Sequence, residues 1–98
     1  MIIVHGSVTV PQARLSEALQ LSQQHVARSR AESGCIEHGV YQDPEIAGRL
    51  VFVEKWADEA ALKQHFAVPA SIAFVDEISA LATEPPSISL FYADEISI

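Results

Sequence analysis

The stretch from residue 35 to residue 74 constrains the fold of this chain more than any other. Two apolar runs of strand-like composition flank the turn-forming residues 43–48 (DPEIAG), and this pattern predicts a β-hairpin. Asp58 then provides an N-cap for a helix, and Pro69 interrupts that helix and restarts it. A hairpin that leads directly into a broken helix indicates a mixed α+β fold.

One strand and one helix precede this stretch, and one strand follows it. Residues 2–10 are β-branched and nearly continuous, which is typical of a well-buried strand. Helical spacing from Gln12 to about Glu32 predicts an amphipathic helix, and residues 88–98 alternate like a strand. The order β-α-β-β-α-β predicts a ferredoxin-like, antiparallel four-stranded sheet with helices on one face. We expect a single domain over residues 1–98.

Composition excludes several classes of function. Hydrophobic residues make up 49% of the chain, which is incompatible with disorder. The formal net charge of −7 repels phosphate backbones and anionic lipid, so we expect no nucleic-acid and no membrane partner. The N-terminal segment is apolar but has no basic leader. A single cysteine, Cys35, forms no internal disulfide, which fits a cytoplasmic protein.

The predicted sheet has apolar side chains on both faces. In the third strand Leu50, Phe52 and Trp56 point one way, whereas Val51 and Val53 point the other. Helices cover only one face, and soluble monomers rarely expose a large apolar patch. The sequence therefore predicts a homodimer in which a second copy covers the free face of the sheet.

His65 and Trp56 are the candidate catalytic residues. His65 lies on the inward side of the second helix, where a histidine can take a proton from an acidic phenol or carbon acid. It can equally be a packed histidine bonded to a backbone carbonyl. Trp56 lies at a strand exit, where its one N–H can bond a substrate oxygen or where its ring can simply fill the core.

Other residues are candidates for lining a pocket. His38 lies among aliphatic residues on the second strand and either lines a pocket or fills the core. Four aromatic residues are candidates for the walls: Phe52, Phe66, Phe74 and Tyr92. His5 is expected to line the pocket or the dimer interface, and His25 is expected on the solvated flank of the first helix.

The spacing of potential ligands predicts neither a metal site nor a bound cofactor. No two histidines are three or four residues apart on one helix, and no acidic residue is suitably paired with them. The four glycines are not grouped, so there is no phosphate-binding loop and no nicotinamide or flavin motif.

Four short motifs together resemble the antibiotic biosynthesis monooxygenase family and its small quinol monooxygenase-like members. They are Ser33-Gly34-Cys35, Tyr41-Gln42-Asp43, Glu54-Lys55-Trp56 and the helical run Ala61-Leu62-Lys63-Gln64-His65. The resemblance implies a dimeric α+β barrel with a pocket between sheet and helices in each subunit. It also implies oxidation of a small phenolic or quinol-like aromatic by O2 without metal, flavin or haem. Trp56 would contact the substrate oxygens, and His65 would line the pocket or relay a proton.

Two departures from the family pattern affect these expectations. Many relatives carry a second histidine just after the helix break, where this chain has Ala70. The histidine that ligates haem in haem-degrading relatives is also missing, because the matching stretch is Phe74-Val75-Asp76. Two alternatives stay open beside the monooxygenase: a non-catalytic dimeric module that binds a small ligand or regulates, and a lyase or isomerase with His65 as base.

Overall fold

A computed structural model describes residues 1–98 and confirms the predicted order of elements. The strands are β1 (Ile2–Thr9), β2 (Cys35–Gln42), β3 (Arg49–Trp56) and β4 (Ser87–Tyr92), and the helices are α1 (Leu15–Ser29), α2 (Glu59–Ala67) and α3 (Pro69–Leu81). The four strands form one antiparallel sheet in the order β2-β3-β1-β4. This is the ferredoxin-like α+β fold. None of the three helices combines the length and apolar character needed to cross a bilayer.

The helix boundaries differ slightly from those predicted. Residues 12–14 form a single 3-10 turn before α1, and α1 ends at Ser29, three residues short of Glu32. The predicted break at Pro69 is confirmed, because Val68 adopts an extended backbone between α2 and α3. The Asp58 carboxylate caps α2 by accepting from the Ala61 backbone N–H at 2.8 Å.

The last strand is shorter than the alternation of residues 88–98 predicted. It ends at Tyr92, which pairs with Ile2, and the Ala93 N–H makes the final ladder bond to the Met1 carbonyl. Since β1 begins at Ile2, the residues after Ala93 have no strand to pair with, and Ile96 and Ile98 are exposed.

The helices and the inner face of the sheet enclose two clusters of buried apolar residues. One cluster is centred on Val8, Leu50, Phe52 and Ile78, and the other contains Trp56 with its neighbours from β1 and α2. The outer face has no helix over it, and its side chains on β3 include Val51 and Val53, as predicted. The helices also leave β4 uncovered, so every residue of that strand is exposed.

Gly48 holds the hairpin turn against the end of β1. Its φ of 81° is left-handed, and a Cβ at this position would lie 2.2 Å from the Val10 carbonyl oxygen. The Val10 N–H in turn donates to the Gly48 carbonyl at 3.0 Å. This turn therefore fixes the register of β3, from which the polar residues of the site project.

A cavity with a histidine cluster as a candidate active site

A cavity of about 510 Å³ lies between the inner face of the sheet and α3. Its body is apolar, with Phe52 from β3 and Phe74 and Ile78 from α3 in the walls. Its polar end is formed by His25, Glu54 and His65, all of them buried. An apolar body with a few convergent polar groups at one end is typical of sites for small organic ligands.

Three imidazole rings meet beside the polar end of the cavity. His25 from α1, His38 from β2 and His65 from α2 have ring centroids between 5.2 and 5.8 Å apart. The Phe74 ring stacks on His25 with a centroid distance of 4.1 Å, and Trp56 lies 4.6 Å from His65. We name His25, His38 and His65 the histidine cluster.

The prediction that His25 is solvated was wrong. His25 lies three residues after Ser22 and one before Val26, on the face of α1 that packs against the sheet and α3. Its side chain is 5% exposed. The Arg28 guanidinium, which can only donate, bonds His25 Nδ1 at 2.7 Å. In the neutral ring the proton is therefore on Nε2, which makes His25 a hydrogen-bond donor inside the cluster.

His65 is oriented by a carboxylate that the sequence did not single out. Glu32, in the turn after α1, lies 2.9 Å from His65 Nδ1 through its Oε1. A carboxylate accepts this bond, so Nδ1 carries the proton and Nε2 of the neutral ring holds a free lone pair. His65 Nε2 is 3.9 Å from Glu54 Oε1. The arrangement is that of a base held in place by an acid behind it.

Glu54 is the second acidic residue that sequence reasoning missed, and it is only 7% exposed. Its Oε1 accepts the Trp56 indole N–H at 2.9 Å, and its Oε2 lies 3.6 Å from His38 Nε2. Burial raises the pKa of Glu54, which the Trp56 hydrogen bond and nearby His65 partly counteract. The expectation that no acidic residue is paired with the histidines is thus incorrect.

Burial also keeps two of the histidines neutral. It lowers the pKa of His25 from 6.5 to about 3, with a further contribution from its two imidazole neighbours and Arg28. The pKa of His38 falls from 6.5 to about 4 through burial, aided by His65 and two arginines. Neither ring nitrogen of His38 makes a hydrogen bond within the protein.

Burial also raises the pKa of the Cys35 thiol, which makes it a weak nucleophile.

The histidine cluster was not expected from the spacing of histidines along the chain. One potential ligand nitrogen from each ring lies within 4.8 Å of the others. The three residues come from different elements, so their proximity has no local sequence signal. Neutral His25 presents an N–H at Nε2 as long as Arg28 bonds its Nδ1, and an N–H is not a metal ligand. In this hydrogen-bonded state His25 does not offer a ligand nitrogen to the cluster.

The predicted site residues fall into three groups. His65, Phe52, Phe66 and Phe74 line the cavity. Trp56 and His38 lie behind it: Trp56 is fully buried and directs its N–H to Glu54. Tyr92 lies elsewhere, 78% exposed at the end of β4, where its hydroxyl donates to Glu59 at 2.6 Å. His5 is exposed on β1 opposite Val53, away from the cavity.

Comparisons with known proteins agree with the motifs. Residues 1–77 match the family model described as "Antibiotic biosynthesis monooxygenase". An uncharacterised protein of Synechocystis sp., sll1783, is 33% identical over 90 residues, which cover 92% of this chain and 61% of that protein. The Bacillus subtilis protein named "Putative monooxygenase YcnE" is 34% identical over 65 residues, or 66% of this chain and 68% of the relative.

Solved structures share the whole fold. The crystal structure of a "putative antibiotic biosynthesis monooxygenase" from Deinococcus radiodurans superposes with a TM-score of 0.93 and 27% identity, covering 100% of this chain and 98% of the other. A conserved protein of Methanosarcina mazei gives a TM-score of 0.89 at 26% identity, over 95% and 92% of the two chains. The family model covers most of the chain and both comparisons agree on the fold. The chain therefore belongs to the antibiotic biosynthesis monooxygenase family.

Proposed function

We propose that the protein is a cofactor-independent monooxygenase that oxidises a small phenolic or quinol-like aromatic with O2. The family supports a monooxygenase-like function in general. The observation that carries the finer proposal is the cavity itself, which joins an aromatic-walled body to a polar end with His65 Nε2 and Glu54. A ring that packs against the Phe52–Phe74 pair, whose own rings are in contact at a centroid distance of 6.0 Å, would direct its hydroxyl group toward His65 and Glu54.

The chemistry that this site can perform is deprotonation in a confined apolar space. Loss of the phenolic proton gives an electron-rich anion, which can itself reduce dioxygen. His65 has a free lone pair at Nε2 that can receive a proton released at the polar end, directly or from Glu54, and Glu32 stabilises the positive charge that then forms on the ring. The protein then needs only to hold the ring, accept the proton and limit access of water.

We predict O2 uptake with a panel of dihydroxyaromatics, measured with an oxygen electrode. Uptake should persist after treatment with chelator, and His65→Ala should lower kcat about a hundredfold, because a positioned acid–base group contributes at least this much. Gln64→Ala is the matched control, since Gln64 precedes His65 on α2 but is exposed and does not line the cavity, and it should keep the wild-type rate.

The alternatives give different results in the same assay. Tight binding of the aromatics with no O2 uptake would contradict the monooxygenase and favour a ligand-binding module. Turnover that continues without oxygen would favour a lyase or isomerase. Uptake that vanishes on chelation would contradict the cofactor-free mechanism.

We also propose that the protein works as a homodimer in the cytoplasm, where its unpaired Cys35 suits a reducing compartment. The uncovered face of the sheet supports the dimer, because it combines half-buried Val51 and Val53 with exposed Tyr41 and Phe91. A second copy would remove these apolar side chains from water.

The dimer predicts a mass in solution of twice 10.7 kDa. Val53→Asp places a charge at the centre of the uncovered face and should yield particles of 10.7 kDa, as measured by light scattering after size exclusion. Ala80→Asp, on the exposed side of α3, should leave the mass unchanged. A wild-type mass of 10.7 kDa at every concentration would contradict the proposal.

A further inference from the structure

Two rings of the histidine cluster, His38 and His65, flank one carboxyl group, and that group faces the cavity. Two acidic residues line the cavity: Asp76 is exposed on α3, whereas Glu54 is buried at the polar end. Glu54 projects from β3 between Phe52, which is a wall of the cavity, and Trp56, which lies behind it. Any hydroxyl group that reaches the polar end meets this carboxylate together with His65.

We propose that Glu54 is the catalytic residue that takes the proton from the substrate, and that Trp56 acts on the substrate only by positioning Glu54. For its substrate class, a phenolic hydroxyl, this inference rests on the function proposed above. It replaces the expectation that Trp56 contacts the substrate oxygens. The Trp56 ring is fully buried and does not line the cavity, and its single N–H is already donated to Glu54 Oε1.

The contacts of Glu54 leave one oxygen for the substrate. Oε1 accepts the hydrogen bond from the Trp56 indole N–H. Oε2 makes no such bond, because His38 Nε2 lies 3.6 Å from it, which exceeds hydrogen-bond range. A buried carboxylate that lacks its full set of hydrogen bonds has a strong tendency to accept a proton. A raised pKa for Glu54 reduces the difference between its pKa and that of a phenol, which is about 10 in water. Proton transfer from the phenol to Glu54 is favoured as a result.

The proton transfer is balanced within the site. The substrate O–H bond breaks, its electron pair stays on the phenolate oxygen, and a new O–H bond forms on Glu54. No electron leaves or enters the protein in this step. The negative charge moves from Glu54 to the substrate, so the buried site keeps the same total charge and avoids the cost of adding one.

His65 and Glu32 provide a way out for the proton. His65 Nε2 lies 3.9 Å from Glu54 Oε1, so a small rotation or a bridging water is enough to connect them. His65 can receive the proton at Nε2 and release the one on Nδ1 to Glu32, whose side chain is 19% exposed. The path thus leads from the cavity to the Glu32 carboxylate, whose Oε2 is buried without a hydrogen-bond partner and is free to take the proton. Four titratable side chains face Glu54 from the elements around it: His38 and Cys35 from β2, His65 from α2 and Glu32 from the turn after α1.

The test uses para-nitrophenol without oxygen, because its phenolate absorbs visible light and its phenol does not. Binding to the wild-type protein should produce the phenolate band together with the infrared C=O stretch of a newly protonated carboxyl group. Glu54→Gln keeps an oxygen for the Trp56 N–H and should lose both signals. Glu45→Gln, the same change in an exposed carboxylate of the hairpin turn, should behave as wild type.

Labelling keeps the inference testable if Glu54→Gln does not fold. In wild-type protein made with carbon-13 glutamate, the C=O stretch of the protonated carboxyl group should shift to lower frequency. In protein made with carbon-13 aspartate, its frequency should not change. A phenolate band without any acid stretch, a stretch that persists in Glu54→Gln, a stretch that ignores the glutamate label, or failure of the probe to bind would each overturn the inference.

Steady-state kinetics separates this inference from the proposed function. With an oxidised substrate, Glu54→Gln should lower kcat about a hundredfold to ten-thousandfold with little change in KM. Trp56→Phe should lower kcat about tenfold, the effect of one lost hydrogen bond to a charged group, again with little change in KM. Full activity in Glu54→Gln would overturn the role of Glu54 alone. An acid stretch without O2 uptake on any substrate would overturn the monooxygenase alone.

Discussion

Acidification from pH 6.5 to pH 4 is expected to remove a large part of the stability of this protein, because of two buried histidines. His25 and His38 have pKa values of about 3 and about 4 in the folded state, against 6.5 when unfolded. The unfolded chain therefore binds more protons throughout this window, and the free energy of unfolding falls as the pH falls. Above pH 6.5 both rings are neutral in either state, and their contribution is fully present.

The size of the effect follows from the pKa differences. A difference of one pKa unit corresponds to about 1.4 kcal/mol, so protonation of each histidine lowers the free energy of unfolding by roughly 3 kcal/mol at pH 4. The total free energy of unfolding of a protein is ~5–15 kcal/mol. Glu54 acts in the opposite direction, since its raised pKa lets the folded state take up a proton before the unfolded state does. Glu54 is one group against two, so the histidines determine the sign.

Urea unfolding at a series of pH values between these limits measures the effect. The urea midpoint should fall steeply toward acid in the wild type, and the slope should be shallower in His38→Leu, which removes one of the two rings. His38→Leu should be well tolerated at neutral pH, because the ring of His38 makes no hydrogen bond within the protein. Gln24→Leu, at an exposed position on α1, should keep the wild-type slope. A midpoint that does not change with pH would contradict the burial of the cluster.

Trp56→Ala is expected to cost the protein about 3–5 kcal/mol, which is the range for removing a large buried aromatic side chain. Trp56 is 0% exposed and joins β3 to the second apolar cluster, where it packs with Ile2, Ala61 and Leu62. The loss also removes the one hydrogen bond to Glu54 Oε1 and leaves a buried carboxylate without its donor.

The cost of Trp56→Ala can be measured by urea unfolding followed by circular dichroism. Tyr92→Ala is the matched control, because Ile2 pairs with Trp56 on one side and with Tyr92 on the other. Tyr92 is exposed, so its loss should cost less than about 1 kcal/mol. Equal losses of stability in the two variants would contradict the central position of Trp56.

Local sequence patterns predicted the fold, but they predicted only part of the candidate site. The break at Pro69 and the hairpin turn have strong chemical signals, and both are present. Glu54 had a signal that was overlooked: it lies two residues from Phe52 and two from Trp56, so strand alternation directs it to the same inner face. A carboxylate on a face that is otherwise apolar is a marker of function.

Glu32 could not have been found in the same way. It lies in a turn, and its partner His65 is 33 residues away, so their contact arises only when folding brings the turn after α1 beside α2. The three histidines likewise come from three elements. Spacing along one helix reports on local pairs alone, and here it gave the wrong answer for His25, which lies at the edge of the inward stripe of α1.

The extended backbone at Val68 has a consequence for how proteins of this fold can diversify. It divides one helical segment into α2, which carries His65, and α3, which carries the cavity walls Phe74 and Ile78. The two helices are therefore separate elements rather than one continuous helix. Substitutions in α3 can change the shape of the apolar body of the cavity while His65 keeps its contact with Glu32. Relatives can thus hold ligands of different shape against the same polar end.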